Sequence, residues 1–352
     1  MSKSFDKIFQ WSVIGSGPAG IAAIGELLDR GILGEDILWL DPKFEVGDFG
    51  ALWKSVSSNT PACLFFDYFN ACDSFEFHRA PKFEINDLDP KDTCLLKYAV
   101  EPLHWITQRL MQKINAHKDF AEKVYMKEGH WIIETKAKEA LHAKNIILAI
   151  GSEPRSLKIK GVEEIPLELA LDKEELKKAV KGKNKIAVFG SSHSAVLLLR
   201  DLLDLGVKEV HNFYRGALRY AVFLDDWVLF DNTGLKGRAA EWSRDNLHGK
   251  LPERLHRHLS NDENIEKYFH HCESVIYATG FESRKINIEG LKRDFNYNPH
   301  CGIIAPGLFG FGIAFPEKVI DRYGHQEYSV GLWKFIDYLK RVIPLWQQYG
   351  LD

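Results

Sequence analysis

WSVIGSGPAGIAAIGELL, residues 11–28, decides the fold. The apolar pair Val13–Ile14 runs into Gly15, Gly17 and Gly20 complete a G-x-G-x-x-G pattern, and an Ala/Ile/Leu-rich helical stretch follows. Gly15 permits a tight strand-to-helix turn. Gly17 lets a pyrophosphate approach the backbone, and Gly20 lets the helix pack close to the strand. The free N–H groups of the first helical turn and the positive end of the helix dipole then face the phosphates. A second apolar run, Ile37–Leu40, ends at Asp41, 21 positions past Gly20, where a ribose-binding carboxylate is expected. Strand, glycine turn, helix, second strand and acid occur in the right order. The reading is therefore a dinucleotide-binding unit and not a bare glycine-rich turn.

Working outward, the same order recurs. Lys185–Phe189 reads as a strand, Gly190-Ser191-Ser192-His193-Ser194-Ala195 as the turn, Val196–Leu205 as a helix capped by Gly206, and Glu209–Tyr214 as the next strand. In this second turn Ser192 and Ala195 replace two glycines. They are small enough for the steric demand, though without glycine's backbone freedom. Where the first unit has Asp41 the second has Arg215, and an arginine there can accommodate a 2′-phosphate, favouring NADP over NAD.

Between and around these units the reading is coarser. Residues 44–60 look like loop, and residues 63–77 are aromatic-rich and unassigned. Thr93–His117 reads as one helix with Leu95, Leu96, Ala99, Leu103, Ile106, Leu110 and Ile114 on a buried face. Lys123–Tyr125, His130–Thr135 and Ala140–Ala143 read as a small antiparallel meander, and Asn145–Ile150 as a buried strand closing on Gly151. Residues 153–182 look like a crossing with a charged helical piece at 172–180. Residues 216–269 are the least readable and are taken as an insertion. The strand-like RYAVFLDDWVLF precedes LKGRAAEWSRDNL and a histidine-rich helix with His248, His256 and His258. On a helix, residues two apart point to different faces, so His256 and His258 read as solvated and no metal site is expected. Ser274–Ala278 reads as a buried strand, residues 302–312 as strand with glycine turns, and Tyr328–Trp346 as a closing helix.

The chain has 352 residues, enough for two domains, and 45% are hydrophobic, enough for packed cores. A formal net charge of −3 gives no basic field for nucleic acid. Cys63, Cys72, Cys94, Cys272 and Cys301 form no C-x-x-C and no zinc-ligand spacing, and read as reduced thiols of a cytoplasmic protein. The start, MSKSFDKIFQ, lacks the apolar core of a signal peptide, and no apolar run is long enough to span a bilayer. No membrane partner is therefore expected. Nine Trp and 22 Phe are many, and the surplus would suit a homodimer interface.

Two dinucleotide units in one chain, the second inserted in the first, resemble the two-dinucleotide-binding-domain flavoproteins of the pyridine nucleotide-disulfide oxidoreductase type. Ile147–Gly151 (ILAIG) and Ile276–Gly280 (IYATG) look like that group's A-T-G hinge segments, the first with Ile150 in place of Thr. The resemblance implies an α/β fold of two Rossmann-like domains with the NAD(P) domain inserted in the FAD domain. The first part of the FAD domain would be residues 1–155, the NAD(P) domain 156–280 with its insertion at 216–269, and the rest of the FAD domain 281–352. It implies FAD contacts at Gly15, Ser16, Gly17, Pro18, Ala19, Gly20, Asp41 and Lys43, at Leu52, Trp53, Asn59, Thr60 and Val124, and at Ala149, Gly151 and Gly312. It implies NADP contacts at Gly190, Ser191, Ser192, His193, Ser194 and Arg215, with Ala278, Thr279 and Gly280 at the second hinge.

Within that group the disulfide reductases carry a redox-active cysteine pair, which this chain lacks. The flavin-containing monooxygenases carry a segment that reads much like Leu52–Thr60 (LWKSVSSNT), followed by an aromatic-Asp-aromatic stretch such as Phe66-Asp67-Tyr68. The resemblance places Asn59 beside the flavin C4a, where its amide could hydrogen-bond a hydroperoxide and delay its collapse. It thus implies an NADPH-consuming monooxygenase acting on a small nitrogen or sulfur nucleophile. The phenylalanine–glycine–histidine signature usual in that branch is absent from Gly161–Ala170 (GVEEIPLELA). Two other readings stay open: an NAD(P)H-dependent reductase serving an unknown acceptor, and a redox-sensing dinucleotide-binding module.

Overall fold

The computed structural model describes residues 4–291 and 295–351. The chain opens with β1 (Ser4–Ile14), α1 (Pro18–Asp29) and β2 (Ile37–Leu40). A short helix α2 (Gly47–Ala51), β3 (Ser57–Pro61), α3 (Ala62–Phe69) and β4 (Thr93–Leu95) follow, then α4 (Lys97–Met111) and β5 (Asn115–His117). The strands β6 (Ala121–Lys127), β7 (His130–Thr135) and β8 (Ala140–Leu148) come next, and β9 (Ser152–Pro154) leads away. The second unit holds β10 (Glu163–Glu164), α5 (Leu167–Ala170), α6 (Lys173–Ala179), β11 (Lys185–Phe189), α7 (His193–Asp204) and β12 (Glu209–Tyr214). A hairpin of β13 (Val222–Phe223) and β14 (Val228–Leu229) precedes α8 (Gly237–Asn246), β15 (Leu255–Leu259), α9 (Asp262–Tyr268) and β16 (Ser274–Tyr277). The return segment β17 (Phe281–Ser283) leads to β18 (Asn287–Ile288), β19 (Ile303–Ala305), β20 (Leu308–Gly310), the hairpin β21 (Glu317–Ile320) and β22 (Gln326–Ser329), and α10 (Leu332–Gln348).

The first sheet is parallel where it matters for the glycine turn. β1 lies between β2 and β8, with Ile14 opposite both Leu40 and Leu148, and β20 flanks β8 on the other side. The meander and the buried strand expected at 140–143 and 145–150 are one continuous strand. β8 pairs antiparallel with β7 at its start and parallel with β1 throughout. One face of this sheet (Trp11, Val13, Trp39, Ile147, Phe309) packs against α1, α3, α4 and α10. The other face (Leu38, Leu40, Ile146, Leu148, Leu308) packs against the meander through Val124, Trp131 and Ile133. Near the glycine turn the central strands β1, β2, β8 and β20 are thus buried on both faces, which is why these stretches read as continuous apolar runs.

The second sheet runs β10-β16-β11-β12-β15 and every pairing in it is parallel. α7 and α8 cover Ile186, Val188, Val210, Leu255 and Ile276 on one face, while Phe269 and Cys272 cover Ala187, Phe189, Phe213 and Val275 on the other. The two hinge segments run side by side: β9 and β17 pair antiparallel, Ser152 opposite Ser283 and Pro154 opposite Phe281.

The structure corrects several expectations. The single helix at Thr93–His117 is β4, α4 and β5, and Leu95 is exposed on β4, because the apolar spacing over-runs both ends of the helix. The closing helix starts at Leu332, with Tyr328 on the preceding strand β22. The histidine-rich helix is the strand β15, hydrogen-bonded to β12, so His256 and His258 share a face after all. Residues 255–268 are therefore integral to the second sheet, and the departure from the strand–helix repeat is confined to about 216–247. Residues 44–60 and 63–77 contain α2, β3 and α3.

Candidate functional site

Gly15 ends β1 at a φ of +112°, a conformation glycine adopts without penalty, and a Cβ there would stand 2.2 Å from the Ala149 carbonyl oxygen. Gly190 repeats the relationship in the second unit, at a φ of +126° with its virtual Cβ 2.3 Å from the Ala278 carbonyl oxygen. Each expected hinge alanine thus lies directly against the first glycine of its turn. Gly20 approaches Gly15 so closely that a Cβ would meet the Gly15 carbonyl oxygen at 1.9 Å, and the Trp39 Nε1–H donates to that same oxygen at 2.9 Å. Gly17 differs: a Cβ there would find only the Val46 carbonyl oxygen, 4.0 Å away. The space beside Gly17 is open.

That space fits a pyrophosphate. α1 begins at Pro18 with Gly17 as its N-cap and no side chain capping its first amides. The Ser16 hydroxyl is buried and has no hydrogen-bond partner among the described residues. Uncapped amides, an unpaired hydroxyl and a helix N-terminus make an anion cradle. Asp41 is buried, and its carboxylate is tied to the backbone three ways. Oδ2 accepts the Ser16 N–H, and Oδ1 accepts the N–H groups of Lys43 and Phe44, all at 2.8 Å. The acid expected to bind ribose thus also fixes the glycine turn to the loop after β2, which spacing alone does not reveal. Gly312, at a φ of +76°, brings the C-terminal segment onto the same turn, its virtual Cβ 2.5 Å from the Ala19 Cβ. Val124 lies inside β6, its carbonyl accepting the Glu289 N–H.

The second turn is built alike. The Gly190 N–H donates to the Phe213 carbonyl at 2.9 Å, and the Asn212 amide donates to the Gly190 carbonyl at 2.8 Å. α7 starts after Ser192, again without a side-chain cap. Ser191 and Ser194 are half-buried beside it, and Arg215 is exposed just past β12. Arg257 was missed because its segment read as helix. On β15 its guanidinium stacks 4.4 Å from the Tyr214 ring and donates to the Asn212 Oδ1. A second cation thus braces the residue that holds the Gly190 turn.

The two units touch at the segment that holds Asn59. The His193 Nε2 lies 2.9 Å from the Ser57 carbonyl oxygen, while its Nδ1 is buried without a partner among the described residues. Burial lowers the proton affinity of this ring. The neutral tautomer with the proton on Nε2 therefore donates to Ser57. Ser55 Oγ–H donates to the Asp172 carboxylate at 2.7 Å, and Trp53 packs edge-on against Phe281. Leu52 is exposed. The hinges hold each other: the Arg155 N–H donates to the Gly280 carbonyl, the Thr279 hydroxyl to the Arg155 carbonyl, and the Arg284 N–H to the Gly151 carbonyl.

Asn59 and Thr60 line a cavity of about 990 Å³. Its other walls come from the β13–β14 hairpin, the β21–β22 hairpin and α10, including Trp227, Asp231, Glu327 and Lys334. The residues after β12 that resisted sequence reading therefore form its wall. Asp231 bridges Lys236 and Lys334, and burial of Lys334 lowers its proton affinity. Glu327 is buried and accepts from the Asn232 N–H and the Thr233 hydroxyl. On the outside, Arg322 makes a two-point ion pair with Asp226 between the hairpins. Asn59 itself is exposed, its Oδ1 accepting from the Thr60 hydroxyl at 3.3 Å, and its amide nitrogen has no partner among the described residues.

The pyridine nucleotide-disulphide oxidoreductase family matches residues 9–220, more than half of the sequence. The chain belongs to that family. It is accordingly an FAD- and NAD(P)-dependent oxidoreductase, as the resemblance implied. All five cysteines are free thiols, so the disulfide chemistry in the family's name has no cysteine pair here. The chain is 33% identical to Monooxygenase AgnR1 of Paecilomyces divaricatus, in an alignment covering 95% of this chain and 97% of that one. In fold it is similar to the ornithine N-hydroxylase of Kutzneria sp. 744, solved with reduced FAD, NADP+ and L-ornithine (TM-score 0.65, 11% identity, 97% and 99% of the two chains). It is likewise similar to a flavin-containing monooxygenase from Stenotrophomonas maltophilia (TM-score 0.63, 14% identity, 97% of each chain). Among the described residues no helix is long and apolar enough to cross a membrane.

Proposed function

We propose that this protein is an NADPH-consuming flavin monooxygenase that transfers one atom of dioxygen to a small nitrogen or sulfur nucleophile. One observation carries the reading: the Asn59 amide, without a partner for its N–H groups among the described residues, lies on the wall of a cavity of about 990 Å³ beside the contact of the two units. FAD, when bound and reduced by NADPH, supplies the oxygen-activating chemistry, with the second oxygen atom leaving as water.

The chain's own residues position and shield. The open space at Gly17, the Ser16 hydroxyl and the uncapped start of α1 take the FAD pyrophosphate. The Gly190 turn takes the NADP phosphates, and Arg215 takes the 2′-phosphate. The His193–Ser57 bond fixes the strand carrying Asn59 against the NADP unit. Asn59 donates hydrogen bonds where oxygen is activated, and the two hairpins with α10 restrict water. The similarity to AgnR1 and to the solved ornithine N-hydroxylase supports oxygen insertion at a nucleophile. The first unit spans 1–155 and 281–352 and the NADP unit 156–280. The free cysteines suit a reducing, cytoplasmic compartment.

The test is anaerobic reduction of the yellow protein with NADPH, then mixing with oxygen and a panel of small amines and sulfides. Oxygenated product is expected to account for most of the NADPH consumed with at least one nucleophile. Hydrogen peroxide matching the NADPH consumed with every nucleophile, alongside rapid reduction of quinones or dyes, would transfer the assignment to a reductase.

A further inference from the structure

The face of the second sheet away from α7 carries a cluster that the redox chemistry does not use. Glu209 and His211 alternate along β12, and His256 and His258 alternate along β15. The strands are parallel, with His211 directly opposite His256 and Phe213 opposite His258. Period-two alternation therefore puts all four polar side chains on one face. The cluster is centred on the start of β12, whereas the Gly190 turn and Arg215 are at the other end.

Three of these side chains offer one ligand atom each within 4.8 Å of one another: Glu209, His211 and His256. The His211 Nε2 already stands 3.4 Å from a Glu209 carboxylate oxygen. Zinc bonds of about 2.0 Å arranged tetrahedrally put donor atoms roughly 3.3 Å apart, so this pair is at ligand spacing. His256 is exposed, its ring 5.0 Å from that of His211, and a modest turn of its side chain closes the set.

The surroundings favour the metal-binding form of His211. Its Nδ1 lies 3.0 Å from the His258 Nε2, and the His258 ring is clamped against Tyr268 with centroids 4.1 Å apart. An imidazole that binds a metal through one nitrogen ordinarily donates its other N–H to a fixed acceptor, which sets tautomer and ring orientation. The His258 Nε2, held in place by Tyr268, stands where that acceptor is needed. The Lys185 ammonium ion-pairs with Glu209 at 2.9 Å and competes for the same carboxylate.

We propose that Glu209, His211 and His256 bind one divalent transition-metal cation of borderline softness, such as Zn2+, with His258 orienting His211, and that the ion staples the edge strand β15 to β12. Two imidazoles and a carboxylate select such a cation over Mg2+ or Ca2+, which prefer all-oxygen sites.

The test uses the full chain, stripped with a chelator and titrated with Zn2+ by calorimetry near neutral pH. Wild type is expected to bind one equivalent. His256→Gln, at an exposed position that leaves the fold intact, and Glu209→Gln are each expected to weaken binding at least tenfold. His258→Gln is expected to weaken it about tenfold, through His211. Lys185→Met removes the competing ammonium and is expected to tighten binding. Absence of binding at millimolar Zn2+, or one equivalent bound with unchanged affinity by His256→Gln, overturns the proposal. So does Lys185→Met binding no tighter than wild type, because the Glu209 carboxylate would then not be a ligand.

Discussion

The His193 ring reaches from the first turn of α7 to the backbone of Ser57, its Nε2 2.9 Å from the carbonyl oxygen, two residues before Asn59. A residue of the Gly190 turn thereby holds the strand that presents the candidate catalytic amide. Removing it leaves that carbonyl without its donor, and an unmade bond of this kind costs roughly 1–3 kcal/mol when the site stays dry. His193→Ala is expected to keep its FAD, to unfold at lower urea, and to show slower reduction by NADPH in stopped-flow absorbance. Unchanged reduction with lowered stability would assign His193 a packing role alone.

The glycines of the first turn separate binding from folding. At Gly17 a side chain enters open space, whereas at Gly20 it meets a backbone oxygen at 1.9 Å. Gly17→Val is expected to fold with a native circular-dichroism spectrum and to be colourless, because the valine occupies the place of the pyrophosphate. Gly20→Val is expected to fail to fold, since neither the helix nor the strand can move aside. A yellow Gly17→Val protein would remove the phosphate assignment from this turn.

The contrast between what these residues announce and what residues 216–269 conceal has a physical basis. The glycine turns were legible because sterics leave few residue types at Gly15, Gly20 and Gly190, and because strands buried on both faces read as apolar runs. Asp41 was legible by spacing, but its three backbone bonds depend on the loop closing over it. His256, Arg257 and His258 were misread because β15 is an edge strand of polar residues with no apolar alternation, so its pairing with β12, a long-range contact, overrides the local pattern. The cavity wall at 222–237 was illegible for a related reason. Its strands are two residues long and are held by Asp231, Glu327 and Arg322 contacts across about a hundred positions of sequence.

Arg215 is exposed beyond β12, at the rim of the Gly190 turn. Charge-assisted bonds to a phosphate are worth roughly 1.5–3 kcal/mol. Arg215→Ala is therefore expected to raise the KM for NADPH roughly tenfold or more and to leave that for NADH nearly unchanged. Steady-state kinetics with both nucleotides decide it, and equal effects would place the 2′-phosphate elsewhere.

Three histidines of lowered proton affinity, one buried and two half-buried, set the acid side of the stability curve. Burial lowers the folded-state proton affinities of His193, His211 and His258, the last to about 4. Below the ordinary histidine value of about 6.5 the unfolded chain takes up protons that the native protein does not, so stability falls as pH drops through that window. Each such proton contributes at most about 1.4 kcal/mol per pH unit. Urea unfolding between about pH 7 and about pH 5 is expected to show this loss, with a shallower slope in His258→Gln. A slope unchanged by that substitution would mean that His258 titrates alike in both states.

Asn59 decides between oxygen insertion and simple electron transfer. Its side chain is exposed on a short strand and, among the described residues, bonded only to the neighbouring Thr60, so Asn59→Ala is expected to change stability by no more than about 0.5 kcal/mol. Its proposed work begins only after the nicotinamide has delivered its hydride. Flavin reduction by NADPH is therefore expected to proceed at the wild-type rate in the variant. Under oxygen, peroxide released per NADPH consumed is expected to rise severalfold, and oxygenated product to fall in proportion. Asn59→Asp offers acceptors in place of the amide donor and is expected to behave like the alanine variant. Peroxide yields equal to wild type in both variants would leave Asn59 as a wall of the cavity and favour electron transfer without oxygen insertion.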